Sequence, residues 1–172
     1  MAKVLIMASD GFEQSELFVP LEKLKEAGHT VEIAAPEAGE IKAWDKKDWG
    51  KSVSADKAIS AVDASGYDAL VLPGGVINPD NLRTDRTAVA LIRSFAEAGK
   101  PVAAICHAPW LLAEAGLAQG RRLTSYDSIR TDMKNAGADV VDEKVVVDRG
   151  VITSRNPDDL DAFVGAIEDA LR

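Results

Sequence analysis

A single cysteine, Cys106, stands among the 172 residues. That excludes an intramolecular disulfide and any metal centre built from several thiolates. Only two histidines are present, His29 and His107, too few for a histidine-rich metal site. Positive charge is in short supply. Twenty Lys and Arg face 28 Asp and Glu, for a net charge of −8 and a pI near 4.8. A nucleic-acid surface needs clustered Lys and Arg to neutralise phosphates, so a nucleic-acid partner is not expected. The acidity is read as a solvated surface. No stretch approaches the roughly 20 consecutive apolar residues that a bilayer span requires, so a membrane partner is not expected either. Neither G-x-x-x-x-G-K-[ST] nor G-x-G-x-x-G occurs, which removes the common phosphate and dinucleotide loops. Nothing in the sequence calls for a cofactor, and no internal repeat or low-complexity segment is visible.

The length suits one well-packed domain, spanning 1–172. Hydrophobic residues make up 47% of the chain, and the 28% that are charged are dispersed, which argues against global disorder. The apolar run Val4–Ala8 is too short for a signal-peptide core. It reads as a buried strand, and the protein as cytoplasmic. Leu17, Leu21 and Leu24 recur at helical spacing within 15–27, and Gly28 is a helix stop. Val31–Ala35 follows as a second strand, completing a βαβ unit that favours a parallel sheet. Residues 37–57, with Trp44 and Trp49, read as a surface excursion of hairpin character. Further strands are expected at 68–72 and 101–105, and helices at 88–98, 108–115 and 127–136. Strands at 145–147 and 151–153 flank Asp148-Arg149-Gly150 as a hairpin. A last helix spans 157–171, with Asn156 as its cap and Pro157 in its first turn. This alternation predicts an α/β three-layer sandwich with a mainly parallel sheet.

The strongest chemical signal is the segment from Pro101 to Pro109. A buried strand runs directly into a helix, with Cys106 at the junction and His107 beside it. A tight elbow of this kind needs small residues two positions to either side, and Ala104 and Ala108 satisfy that. The turn would aim the sulfur out of the carboxyl edge of the sheet, where α/β proteins bind ligands. A helix start lowers a thiol pKa, so a value below the free range of about 8.5 is expected for Cys106. Pro73-Gly74-Gly75 ends the neighbouring strand. Its amides are candidate donors to an oxyanion. Glu13 and Glu16 open the first helix. An ionised carboxylate over the cysteine would raise the thiol pKa, whereas a protonated one would donate a hydrogen bond to the thiolate.

Taken in order, these residues resemble the ThiJ/PfpI family, in its PfpI-like branch. The resemblance runs through Gly11-Phe12-Glu13, Glu16 to Pro20, Leu70 to Gly75 and Pro101 to Pro109. It continues through Thr124-Ser125-Tyr126, Asp132 to Gly137, Val145 to Asp148 and Thr153 to Leu160. It implies a flavodoxin-like sandwich, shared with class I glutamine amidotransferases, and a homodimer or higher oligomer. It implies Cys106 as nucleophile, His107 as its partner, Glu16 as the carboxyl contacting the sulfur, and Gly74 and Gly75 as oxyanion donors. An acidic residue after the Gly-Gly turn, here Asp80, would reach His107 of a neighbouring subunit. The implied activity is that of a cysteine-dependent hydrolase or lyase in stress protection, acting on a peptide, a glyoxal or a glycated adduct. The alternative is a non-enzymatic, redox-responsive stress protein or holdase that uses oxidation of Cys106. Two departures stand out: Ala108 replaces a usual glycine, and the Trp44–Trp49 segment carries two bulky aromatics, read as interface or packing residues. The amidotransferase reading fails because no histidine follows His107.

Overall fold

The computed structural model describes all 172 residues. In chain order the elements are β1 (Lys3–Met7), β2 (Phe12–Glu13), α1 (Gln14–Glu26), β3 (Thr30–Ala35), β4 (Gly39–Asp45), β5 (Asp48–Ala55) and β6 (Lys57–Ala58). Next come β7 (Ala69–Leu72), α2 (Ile77–Leu82), α3 (Arg86–Glu97), β8 (Val102–Ile105) and α4 (Pro109–Glu114). The chain closes with β9 (Arg122–Leu123), α5 (Arg130–Asn135), β10 (Asp139–Val140), β11 (Val146–Asp148), β12 (Val151–Ser154) and α6 (Leu160–Ala170).

Seven strands form the central sheet, in the order β11-β12-β8-β7-β1-β3-β6. All neighbours are parallel except the β11–β12 hairpin. Strands covered on both faces must be apolar along their buried length, and Val4–Met7 of β1, β7 and β8 meet that requirement. The two-residue period of a strand then divides their side chains between two cores. Leu5, Met7, Leu70, Leu72, Val102 and Ala104 face one, packed with Leu91, Ile92 and Phe95 of α3. Val4, Ile6, Val71, Ala103 and Ile105 face the other, packed with Leu17 and Leu24 of α1 and Phe163 and Ile167 of α6. The result is the expected three-layer α/β sandwich.

Strand order reverses direction at β1. The chain leaves β1 for β3 on one side and later enters β7 on the other. At such a switch point the connecting loops diverge and open a cleft at the carboxyl ends of the strands. The loops after β1, β7 and β8 meet there.

Segment 37–57 is a hairpin, β4–β5, which β2 extends into a separate three-stranded sheet. Trp44 and Trp49 are cross-strand partners, edge to face at 5.3 Å. The β11–β12 turn has positive φ at both Arg149 and Gly150, as a two-residue hairpin loop demands. Helix 127–136 is divided: a 3₁₀ turn at Asp127–Ile129 precedes α5. The last helix likewise opens as a 3₁₀ turn at Pro157–Asp159, and Asn156 caps it by accepting from the Asp158 N–H. Helix α2 was not legible in the sequence, because six residues containing Pro79 show no helical period.

Just beyond β12, Arg155 clamps the almost fully buried Asp159. Its backbone N–H and its Nε both donate to Oδ2, at 3.0 and 2.8 Å, and its second guanidinium nitrogen donates to Oδ1 at 2.9 Å. Burial pushes the Asp159 carboxyl up, but the Arg155 bonds outweigh it and hold the group below the usual carboxylate range. The stability this supplies is present above the ordinary Asp value and is lost as pH falls through the lowered folded one. Asp159→Asn should therefore cost about 2 kcal/mol near neutral pH, the scale of hydrogen bonds to a charged partner. The gap from the unaltered protein should begin to narrow below about pH 4 and close only as pH falls through the lower folded value. Urea unfolding at pH 7 and pH 3 measures both, and a gap that stays constant would remove the ion pair as its cause.

Candidate active site

Cys106 follows β8 immediately and has φ of +66°, in the left-handed region that non-glycine residues rarely enter. Such a conformation costs on the order of 1 kcal/mol or more and persists only where the surroundings over-determine it. Here they do. The Cys106 N–H donates to Ser154 O at 3.1 Å, and its carbonyl accepts from the Tyr126 N–H at 2.8 Å. The Ala108 N–H closes the turn onto Ile105 O at 3.0 Å. Ala108 itself has φ of −59° and is fully buried, so this position demands no glycine and alanine fits it without strain.

Three loops converge on the sulfur. Because β7 and β8 are paired, the Gly-Gly turn lies against the elbow. A Cβ on Gly74 would fall 2.6 Å from both Ile105 O and Glu16 Oε1, and 2.7 Å from Cys106 Cβ. Gly75 has φ of +78°, and a Cβ there would meet Gly11 O at 2.6 Å. Only glycine lets this turn approach the elbow so closely.

Glu16 enters from α1. Glu13 caps that helix, its carboxylate accepting from the Glu16 N–H at 3.0 Å, while Glu16 itself is fully buried and turned inward. Its Oε1 accepts from the Gly74 N–H at 2.9 Å. Its Oε2 is buried without a hydrogen-bond partner, and the carboxyl as a whole neighbours the Cys106 side chain. Burial, and then the Glu13 charge, push the Glu16 carboxyl up to about 8, against the pull of the Gly74 N–H. At neutral pH the group is therefore mostly a protonated acid, beside the Cys106 side chain.

Burial, followed by the Glu16 charge, also pushes the Cys106 thiol up, while the Gly75 and His107 N–H groups pull the other way. This corrects the expectation of a thiol below the free range. Helix α4 is only six residues long, and the desolvation of a nearly enclosed sulfur exceeds what so short a helix supplies. Gly74 is also corrected as an oxyanion donor, since its N–H is taken by Glu16. Gly75 and His107 offer the amides that face the sulfur.

His107 does not turn outward, as adjacent residues on an elbow would suggest. It is buried, with Nδ1 3.2 Å from Cys106 Sγ. Tyr126 stacks on its ring at 4.6 Å, and Trp110 meets it edge-on at 5.2 Å. Burial lowers the His107 pKa, which keeps the imidazole neutral and available as a base. Asp80 lies exposed on α2 and makes no hydrogen bond to His107 within the chain. No group of three or more His, Cys, Asp or Glu side chains is arranged to hold a metal ion, and no helix is long and apolar enough to cross a membrane.

Sequence reasoning missed Asn78, which is fully buried. Its Nδ2 donates to Pro73 O at 2.9 Å and to Gly74 O at 3.2 Å, and its Oδ1 accepts from the Ser9 N–H at 2.7 Å. It thereby ties the Gly-Gly turn to the end of β1. Its only sequence signal, an asparagine before a proline, reads as an ordinary turn.

The Glu16–Cys106 contact is open to test. Glu16→Gln removes the charge but keeps a hydrogen-bond donor. The pH midpoint for iodoacetamide alkylation of Cys106 should fall by about one unit or more, the scale of a lost like-charge neighbour. An unchanged midpoint in a variant with native thermal stability would mean that Glu16 does not govern the thiol.

Comparison with known proteins gives the family. The DJ-1/PfpI family model matches residues 2–170. A deglycase of Thermococcus kodakarensis is 45% identical over 170 residues, 99% of each chain. Protein/nucleic acid deglycase 2 of Escherichia coli is 44% identical over 162 residues, 94% of this chain and 92% of that one. A crystal structure from Anabaena variabilis, with DJ-1/ThiJ/PfpI-like and ferritin-like domains, superposes with a TM-score of 0.92 at 38% identity. The match covers 98% of this chain and 48% of that two-domain chain. With its cysteine elbow, buried glutamate and glycine turn in these positions, the chain belongs to the DJ-1/PfpI family.

Proposed function

We propose that the protein is a cysteine-dependent deglycase-like hydrolase acting on carbonyl adducts of amines, in defence against reactive aldehydes in the cytoplasm. The observation that carries this reading is the 3.2 Å approach of Cys106 Sγ to His107 Nδ1, with the Gly75 and His107 amides facing the same sulfur. A thiol raised by burial needs a base at the moment of attack, and a neutral imidazole within hydrogen-bond reach is one. Sulfur bonds to the carbonyl carbon, and the C=O electron pair moves to oxygen. The thiol proton passes to Nδ1, while the developing oxyanion draws on the two amides. In an adduct whose amine sits on the hydroxyl-bearing carbon beside that carbonyl, the C–N bond then breaks as the hydroxyl becomes C=O: the amine leaves with the proton from Nδ1, and the hydroxyl proton passes to His107. The oxyanion re-forms its C=O as the C–S bond breaks, the sulfur takes that proton back, and water hydrates the released dicarbonyl.

The proposal extends to a homodimer in which Asp80 of a second copy completes the site. Asp80 is exposed and unpaired with His107 in its own chain. Near it on the chain lie exposed Val76 and Ile77, and exposed Tyr126 covers His107. Apolar groups bare at the mouth of a polar site suit coverage by a partner.

Methylglyoxal, glyoxal, methylglyoxal-treated amino acids and a peptide substrate, each assayed against Cys106→Ala, test the chemistry. Amine release from the treated amino acids is expected, lost at least 100-fold without the thiol, as removal of a covalent nucleophile requires. Peptide cleavage alone would replace this reading with a protease. Turnover surviving in Cys106→Ala would remove the covalent mechanism. Mixing Asp80→Ala with Cys106→Ala under subunit exchange tests the shared site. One site per mixed dimer then holds both residues intact, so activity should return. Proven mixed dimers without recovery would place Asp80 outside the site.

A further inference from the structure

We propose that Ser128 positions the catalytic proton: by accepting a hydrogen bond from Nε2–H of His107, it leaves Nδ1 bare to receive the proton of Cys106. The inference rests on the nucleophile reading above and assigns a task to a residue outside the cysteine elbow.

It follows from the groups around the sulfur. The Gly75 and His107 N–H groups lie near the sulfur and pull its pKa down, and the Gly75 N–H also serves Glu16. The Glu16 carboxyl lies beside the same side chain, its Oε2 buried without a hydrogen-bond partner. All of these are donors when Glu16 is protonated. The thiol proton then has one acceptor within reach, the lone pair of His107 Nδ1 at 3.2 Å. A neutral imidazole has one N–H, so a bare Nδ1 requires the proton on Nε2. Within the chain, the group facing Nε2 is Ser128 Oγ, at 3.3 Å. Its hydroxyl can accept that proton's bond and direct its own O–H to solvent, since Ser128 is exposed. When sulfur gives its proton to Nδ1, the imidazolium keeps Nε2–H on Ser128, and no second proton moves.

The hydroxyl is held in place. Ser128 sits in the 3₁₀ turn Asp127–Ile129, anchored by buried Ile129, whose N–H donates to Tyr126 O at 3.1 Å. Arg130 bridges Asp127 and Asp142 at 2.9 and 2.8 Å, and Arg155 reaches Asp142 at 2.8 Å. The turn is thus tied to the end of β12, whose Ser154 carbonyl pins Cys106. One ion-pair network therefore fixes both the serine and the elbow.

The chain has only two histidines, which makes the tautomer readable. In protein labelled with ¹⁵N at histidine, two-bond ¹H–¹⁵N correlation distinguishes Nε2–H from Nδ1–H imidazole, and His29→Gln assigns the His107 pattern. The Nε2–H form is expected in the unaltered protein, a mixture shifted toward Nδ1–H in Ser128→Ala, and restoration in Ser128→Thr. Iodoacetamide alkylation at neutral pH should slow by about three- to tenfold in Ser128→Ala, the worth of one hydrogen bond, and recover in Ser128→Thr. A native pattern and native alkylation in Ser128→Ala would overturn the assignment. So would a pattern that responds to Asp80→Asn and not to Ser128→Ala, which would give Nε2 to the second copy. Neither readout uses a carbonyl substrate, so failure of the proposed activity and failure of this assignment are separate results.

Discussion

A carboxyl group shut away from water, with no cation beside it, persists only as an acid. Glu16 is in that position, and the local architecture is arranged around it. The Gly74 amide satisfies one oxygen, and the carboxyl neighbours the Cys106 side chain. For both contacts to exist, the Gly-Gly turn must lie within contact distance of the elbow, which forbids any side chain at Gly74. The elbow must also turn the sulfur inward, which forces Cys106 to positive φ. Burial of a single carboxyl thus sets the backbone of two loops.

The same burial sets the chemistry. A sulfur enclosed away from water, with a carboxyl that becomes charged before it does, resists ionisation. It is a thiol surrounded by donors with a neutral imidazole at its side. In the proposed reaction such a site would hold its proton until attack and then pass it to the imidazole. That arrangement suits reaction with a carbonyl carbon, where negative charge moves at once to an oxygen that amides can receive.

Rigidity around the site is distributed over polar anchors that do not touch the sulfur. Asn78 joins the Gly-Gly turn to β1 through fully buried hydrogen bonds. Arg155 locks the segment after β12, and Arg130 extends that network toward Ser128. A buried polar network tolerates little loss, because each unsatisfied member carries its full desolvation cost. The elbow is held in its strained conformation by neighbours that cannot easily relax.

Much of this was legible in the sequence for a physical reason. Strands covered on both faces must be continuous apolar runs, and Val4–Ala8, 68–72 and 101–105 announce themselves as such. A nucleophile between a buried strand and small residues announces a tight turn, so Cys106 and the Pro73-Gly74-Gly75 loop could be singled out before any coordinates. What the sequence could not carry was direction and environment. Whether Gly74 or Gly75 offers a free amide, whether His107 faces outward or back to the sulfur, and whether burial or a helix end rules the thiol all depend on groups far apart in the chain. Asn78 and Ser128 likewise look like ordinary turn residues until folding sets them against Ser9 and His107. Composition and periodicity determined the layers and the location of the cysteine. Only the packing of three loops at the carboxyl edge decided its protons, because a pKa or a tautomer is a property of neighbours that only the tertiary structure supplies.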